Sequence, residues 1–496
     1  MTSKTTLMNN LPLELLDRIF SYLPLSDRKS SSLVCRLWSE QVFSGRFLRN
    51  IELKLIMGWG ESERLRKTAR RYRNVFILAP FALESCEYNF GFIVKVLDEL
   101  GADLESFHCV INFTEEQLWY LIIRAPNLKQ LIVGMDSRTL SQQNYSLPEL
   151  RYLRSSGPLA NVFQIKCPSS YSLSTFCTNF TERSNVNNSI MLLRRLAPDL
   201  KSLQLYSKRY YIPIEELQFP NVEVLRLGGR ICKTGDGALR TFFGGFKLLK
   251  DVNLGFNVKE HVLDMITNIC PGIVKLHLEN DVLKPGHFRS LERLKCLKTL
   301  SLIGSVDSRV VMECKPLESV NCFCLHMSHL NCEMSIVEDF RQLLPNVIDM
   351  NVTLSQISSS LFATVFICVN FPHLKRLTIS NNIAGSYSLD EFRHLDRLEE
   401  LTLRFIPMPV MLEVSKKFLK RLRFECCSWL TDGYLSQLPE KYPNLKYLEL
   451  EECRQVSPKG VEVIRSRLPN CVIHCVQSDT LGIRFHFQSL HFAALS

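Results

Sequence analysis

Residues 426–464, CCSWLTDGYLSQLPEKYPNLKYLELEECRQVSPKGVEVI, contain at 442–450 the phrase YPNLKYLEL that decides the fold. Its unit is an apolar anchor, two residues, an apolar residue, one residue, and a further apolar residue. The phrase recurs as APNLKQLIV (125–133), APDLKSLQL (197–205), FPNVEVLRL (219–227), CPGIVKLHL (270–278) and FPHLKRLTI (371–379). Anchors fall at Leu104, Leu128, Leu150, Leu173, Leu200, Val222, Leu249, Ile273, Leu297, Leu317, Val347, Leu374, Leu398, Leu419, Leu445 and Cys471, spaced 20 to 30 residues apart. Proline stands two residues before the anchor nine times, at Pro126, Pro148, Pro198, Pro220, Pro271, Pro345, Pro372, Pro443 and Pro469. There it ends a preceding helix, because it cannot donate to the helical ladder and restricts its neighbour. Asn257, Asn382, Cys427 and Cys453 fall eight residues after their anchors.

Each unit therefore reads as one short strand with its anchor side chains turned inward, followed by a return segment. HVLDMITNIC, SIVEDFRQLL and GVEVIRSRL space their apolar residues by three and four, as a helix packed on a sheet requires. A unit of this size cannot bury its own apolar face, so it is stable only when stacked on neighbours. The expected fold class is α/β, a solenoid over 101–476 with parallel strands on the concave face and helices on the convex face. Residues 51–100 form an irregular basic segment in which Ile51 and Val75 head two first units, and 477–496 form a C-terminal cap or tail.

The first 50 residues follow a different pattern. Pro12 opens a helix where a missing N–H costs nothing, and Leu15, Leu16, Ile19, Phe20 and Leu23 form one apolar stripe closed by Pro24. Ser26 caps a second helix through Leu33 and Val34, and Trp38 and Val42 anchor a third. Three short helices make a thin core, so part of this apolar surface is expected to meet a partner.

Residues 8–50, with LPLELLDRIFSYLPLSDRKSSSLVCRLWSE at their centre, resemble an F-box: Leu11, Pro12, Glu14, Ile19, Phe20, Leu23, Pro24, Asp27, Val34, Cys35 and Trp38 match its pattern. Lys29, Ser30 and Ser31 stand where the second helix is often more apolar. The repeats are similar to the cysteine-containing leucine-rich repeats, with Cys427 and Cys453 as strand-terminal cysteines. The combined resemblance implies a substrate receptor of an SCF-type ubiquitin ligase. It implies contact with a Skp-type adaptor through Leu11, Pro12, Leu15, Ile19, Phe20, Leu23, Pro24, Val34 and Trp38, and through the adaptor with a cullin–RING core.

Bulk properties set limits around that reading. A chain of 496 residues, 46% hydrophobic and 22% charged, is an ordered protein too long for one core. Eighteen cysteines scattered singly, without a signal peptide or membrane span in the sequence, are expected to be reduced thiols in cytoplasm or nucleus. The net charge of +10 is a mild excess at this length, and neither membrane nor nucleic acid is an expected partner. Its densest run is Arg64, Arg66, Lys67, Arg70, Arg71 and Arg73, read as a solvated face or, in the alternative, a nuclear-import or acidic-ligand patch.

In a strand of this pattern the residues flanking the second apolar position point away from the core. Tyr152, Arg154, Lys275, Arg376, Arg421, Arg423 and Tyr447 are the candidate substrate contacts on that face. Arg376, Arg421 and Arg423 suit an acidic or phosphorylated segment. Cys322, Cys324, His326, His329 and Cys332 lie within eleven residues, inside the longest interval between anchors. Without a paired Cys-x-x-Cys, and with Cys322 at an inward position, they read as core and loop and no metal is assigned. No phosphate loop, His-Glu-x-x-His or nucleophile elbow occurs, so no catalysis and no cofactor is expected. The alternative function is a repeat scaffold that binds protein or RNA without directing ubiquitination.

Overall fold

The repeat phrase becomes a parallel β-strand in unit after unit. The computed structural model describes residues 11–23, 25–57, 70–78, 86–135, 149–156, 175–180, 186–207, 217–229, 236–307, 310–327, 340–354, 367–381, 394–406 and 418–476. The chain divides into two units, residues 1–212 and 213–496.

The first unit opens with the helical head. It comprises α1 (Leu13–Ser21), α2 (Leu25–Ser31), α3 (Arg36–Val42) and the single turn α4 (Gly45–Leu48). The Pro12 carbonyl accepts from the backbone N–H of Leu15 at 3.0 Å, which starts α1 directly after the proline. Leu16, Phe20, Val42 and Phe47 fill the core of the head, with Leu11, Leu23, Leu37, Trp38 and Phe43 packed around them. Phe20 meets Trp38 edge-on, ring centroids 5.3 Å apart. Helix α2 stops at Ser31, short of the expected Val34. The Ser31 hydroxyl donates to the Asp27 carbonyl at 2.8 Å and the Ser32 hydroxyl to that of Lys29 at 2.6 Å. Serines that bond nearby backbone are poor at propagating a helix.

Seven strands follow the head: β1 (Glu52–Ile56), β2 (Asn74–Leu78), β3 (Ser106–Phe113), β4 (Gln130–Met135), β5 (Tyr152–Ser156), β6 (Thr175–Phe180) and β7 (Ser202–Ser207). Each pairs in parallel with the next. The head joins this stack with little slack. Asn74 Nδ2 donates to the Arg49 carbonyl at 2.6 Å, and the Arg70 guanidinium lies 3.5 Å above the Phe43 ring.

The second unit carries β8 (Val224–Gly229), β9 (Asp251–Gly255), β10 (Lys275–Leu283), β11 (Thr299–Val306), β12 (Cys322–Met327), β13 (Asp349–Leu354), β14 (Arg376–Asn381), β15 (Glu400–Arg404), β16 (Arg421–Glu425), β17 (Tyr447–Glu451) and β18 (Val472–Val476), again each parallel to the next. Return helices include Glu115–Arg124, Glu260–Ile269 and Pro458–Arg467. Thr114 opens the first of these with a capping box to Gln117.

Anchors such as Leu104, Leu128, Leu200, Val222, Ile273, Leu374, Leu398 and Leu419 are fully buried, and strand residues alternate between inward and outward faces. One main-chain motif ties unit to unit. The carbonyl just past the anchor accepts two N–H groups from the next strand: Glu105 from Lys129 and Gln130, Lys129 from Arg151 and Tyr152, Lys420 from Lys446 and Tyr447.

Two expected anchors move. Leu300 pairs with Phe323 and Leu302 with Leu325, so Val320, not Leu317, is the counterpart of Leu297. The intervals of 20 and 30 residues on either side of Leu317 become 23 and 27, and the apparent longest gap disappears. Likewise Leu448 pairs with Ile473, which puts Cys471 level with Lys446, one place past the anchor held by Leu445. The last unit is a residue shorter between its proline and its strand. Because outward and inward faces alternate, such slips exchange the two faces. The Leu173 anchor and the expected tail at 477–496 lie outside the described residues.

Near the C-terminus, Phe405, Cys426 and Glu452 take left-handed backbone, with φ of 53°, 53° and 51°. All three directly follow a strand and precede a buried residue, Ile406, Cys427 or Cys453. The repeated turn aims Cys427 and Cys453 inward, where their thiols donate to the carbonyls of Leu403 at 3.4 Å and Phe424 at 3.5 Å. The hydrogen bond to Cys453, and after it burial, holds the Cys427 thiol far above the ordinary thiol range, so it is inert.

Candidate adaptor-docking head and strand-face surface

The head separates its apolar stripe into two sides. Leu16 and Phe20 face the interior, whereas Leu13, Leu15 and Ile19 face solvent on the same helix. Past the end of α2, Leu33 is 87% exposed and Val34 61% exposed, and Tyr22 and Leu25 add further exposed apolar surface. Of the candidate adaptor contacts, Pro12, Leu15, Ile19 and Val34 are exposed, while Leu11, Leu23 and Trp38 are half-buried against the core. Phe20 is only 1% exposed, which corrects its assignment as a contact residue. Four residues after Leu16, it falls on the helix stripe that faces Val42 and Phe47. Pro24 lies outside the described residues.

The basic run is similarly absorbed where it is described. Arg70 covers Phe43, Arg71 Nη1 lies 3.5 Å from Asp103 Oδ2, and Arg73 pairs with Glu105. Lys129 Nζ donates to the same Glu105 at 2.7 Å. The hydrogen bond from Lys129, and after it that from Arg73, holds the Glu105 carboxyl below the usual carboxylate range even though burial opposes it. Arg64, Arg66 and Lys67 lie outside the described residues.

On the open strand face of the second unit, the candidate arginines already have carboxylate partners. Arg376 Nε donates to Asp349 Oδ2 at 2.9 Å, and Arg421 Nη1 lies 3.9 Å from Glu400 while its guanidinium rests 4.8 Å from the Tyr447 ring centre. Arg423 Nη2 donates to Glu451 at 2.8 Å and its Nε lies 3.4 Å from Glu449. Arg423 Nε also lies 2.6 Å from Glu425 Oε1, and Arg404 Nε 2.7 Å from Glu425 Oε2. In both the N–H points off the line to the oxygen, so these are charge contacts without an aligned hydrogen bond. The hydrogen bond to Asp349 raises the Arg376 pKa. For Arg423, burial pulls the other way, and the Glu451 hydrogen bond with the nearby Glu425 and Glu449 charges prevails to raise it.

The expectation that Arg376, Arg421 and Arg423 stand ready for an acidic segment is therefore corrected: on this face they belong to a ladder of alternating charge and are occupied. The missed residues are Asp349, Glu400, Glu425 and Glu451, which with Glu449 pair the arginines. The signal was present, because the same repeat position in adjacent units lies one strand apart, about 4.8 Å. Lys275 is exposed between Asp251 and Thr299.

In the first unit the outward row runs differently. Phe76, His108, Ile132 and Arg154 stand in register on β2, β3, β4 and β5, and all four are half-buried. Phe76 and His108 stack with ring centroids 4.1 Å apart and planes at 22°. Burial, and after it the Arg154 charge, pushes the His108 pKa down to about 4. Tyr152 stands on β5 two residues before Arg154.

The cysteine and histidine cluster also changes sides. On β12, Phe323 and Leu325 face inward, and Cys322, Cys324 and His326 share the outward face, which corrects the inward placement of Cys322. The misplaced anchor at Leu317 is the cause. Cys322 and Cys324 are hydrogen-bonded thiols; that bond and burial push Cys324 up. Among the described residues no three His, Cys, Asp or Glu side chains converge as a metal site. His329 and Cys332 lie outside the described residues. No helix among the described residues is long and apolar enough to cross a membrane.

The head's geometry agrees with a match to a family model, F-box-like, over residues 8–54. These residues are an F-box-like domain. The matched segment extends past the expected boundary at residue 50 into β1. No curated protein matches the chain. Among solved structures, the chain is similar to the yeast Rad7 and Elc1 complex with 13% identity and a TM-score of 0.31, covering 95% of this chain and 94% of that one. It is also similar to the TLR13–ssRNA13 complex with 12% identity and a TM-score of 0.35, covering 87% and 72% respectively.

Proposed function

We propose that this chain is the substrate-recognition subunit of an SCF-type ubiquitin ligase. Its F-box-like head binds a Skp-type adaptor and, through it, a cullin–RING core, while the strand faces of its cysteine-containing leucine-rich repeats hold a protein substrate for ubiquitin-dependent degradation. The chain itself catalyses nothing, takes no cofactor, and works in cytoplasm or nucleus.

The observation that carries this reading is that Leu15, Ile19, Leu33 and Val34 are exposed on a head whose core is already filled. Exposed apolar patches on small domains mark protein contacts, and burying side chains of this size contributes about 1.5–3 kcal/mol each. The contacts between the head and the first strands give the reading a mechanical sense. A head braced through Asn74 and Arg70 ties the strands of the first unit to whatever the adaptor carries.

The test is co-purification of the full chain with a Skp-type adaptor. The L15S/V34S double variant is expected to lose the adaptor while keeping the strand stack folded. Unchanged adaptor binding by that variant, or no binding by the parent at micromolar concentration, overturns the assignment.

A further inference from the structure

The open strand faces differ in how far their side chains satisfy one another. On β13–β17, Arg376, Arg421 and Arg423 are each engaged by a carboxylate of a neighbouring strand, so a ligand would have to displace existing ion pairs there. On β2–β5 the row is a stacked ring pair, an aliphatic side chain and a cation: Phe76, His108, Ile132 and Arg154. Among the described residues Arg154 has no carboxylate partner. Burial, and after it the Arg154 charge, keeps the half-buried His108 ring neutral at ordinary pH, so the positive charge of the row is that of Arg154.

The row also has a length. Phe76 and Arg154 are three strands apart, so at about 4.8 Å per strand their Cα atoms are separated by roughly 14 Å. An extended chain rises about 3.3 Å per residue, so a ligand side chain over Phe76 and one over Arg154 lie about four residues apart.

We propose that this row docks an extended acidic segment of a protein, seating an aromatic or aliphatic side chain on Phe76, His108 and Ile132 and a carboxylate, three or four residues away, on Arg154. The proposal rests on reading the chain as a substrate receptor, and gives that receptor's ligand a chemistry. A guanidinium matches a carboxylate with paired hydrogen bonds, and the half-buried setting strengthens them. A peptide fits better than a nucleic acid strand. The charged residues at outward positions on β1–β5 are Lys54 and Arg154 against Glu52, whereas phosphate backbones are held by many cations.

The test uses the full chain with its adaptor and fluorescence anisotropy of labelled peptides that carry Phe and Glu three or four residues apart, in either order. Affinity is expected to fall about tenfold or more when the peptide Glu becomes Gln, in Arg154→Gln, and in Phe76→Ser, but to be unchanged in Arg423→Gln. The His108 ring, followed by NMR, is expected to titrate at higher pH with the acidic peptide bound than without it. A fold change below about two for Arg154→Gln overturns the proposal. So does binding confined to phosphoserine peptides, or stronger binding of oligouridylate with steep salt dependence. Adaptor co-purification, measured on the same variants, keeps the two readings apart. Peptide binding without adaptor binding sinks the ligase assignment alone, and adaptor binding without peptide binding sinks this one.

Discussion

Replacing Phe20 by alanine separates two roles that the F-box-like stripe superimposes. Phe20 is 1% exposed, packs among Leu16, Val42 and Phe47, and meets Trp38 edge-on at 5.3 Å. Truncating a buried phenylalanine costs about 3–5 kcal/mol, from lost transfer free energy and the cavity left behind. A head spanning roughly 40 residues has only about 2–6 kcal/mol of stability at typical values per residue, so the F20A cost consumes most or all of it. The strand stack does not share that core and stays folded. Hydrogen exchange on the full chain reads both: amides of α1 and α3 are expected to exchange at least about thirtyfold faster in F20A, at about 1.4 kcal/mol per factor of ten, with β3 and β4 unchanged. L15S/V34S, on exposed positions, is expected to leave those rates as they are while losing the adaptor. If F20A loses the adaptor with no faster exchange in the head, Phe20 is a contact residue and the division between core and exposed positions is wrong.

Four further outcomes follow from the strand stack. Glu105 has a depressed pKa, so its pairing with Lys129 and Arg73 contributes stability that is present above about 4.5 and lost as pH falls through the lower folded value; the urea-midpoint gap between parent and E105Q should be widest at neutral pH and close in acid. His108 binds a proton in the unfolded chain near 6.5 but in the fold only near 4, so the parent should lose stability between those pH values, and H108F should lack that component of the loss. F323A should cost about 3–5 kcal/mol in urea unfolding and C322S less than about 1, an order that reverses if Cys322 faces inward. At the left-handed Cys426, C426V should be less stable than C426G by about 1–2 kcal/mol, and equal stability would refute the turn.

Much of this architecture was legible because it is written in period. The recurrence of Leu-x-x-Leu-x-Leu with proline ahead of it identified strands that the structure pairs in parallel, and the head's three-helix pattern was marked by Pro12, Trp38 and Val42. What failed was register. In the 297–347 interval both Leu317 and Val320 are apolar and buried, and only the neighbours' pairing selects Val320. At Cys471 the proline rule misled, since the last unit shortens the distance from proline to strand. Each slip has a large consequence because the side-chain alternation is two, which is how the outward thiol of Cys322 was read as core.

The face itself was harder to read than the fold, for a reason that lies in how the units stack. A sequence presents Arg376, Arg421 and Arg423 one at a time, each as a cation on an open strand. Stacking places Asp349 beside Arg376, Glu400 beside Arg421 and Glu449 beside Arg423, so charge that looks available along the chain is already paired across it. The converse holds on β2–β5, where Phe76, His108 and Ile132 are unremarkable singly and form a row only in register. Prospective recognition positions in such a protein are best found by writing the repeats in columns and striking out each charge whose lateral neighbour has the opposite sign. In the outward row of β2–β5 that procedure leaves Arg154.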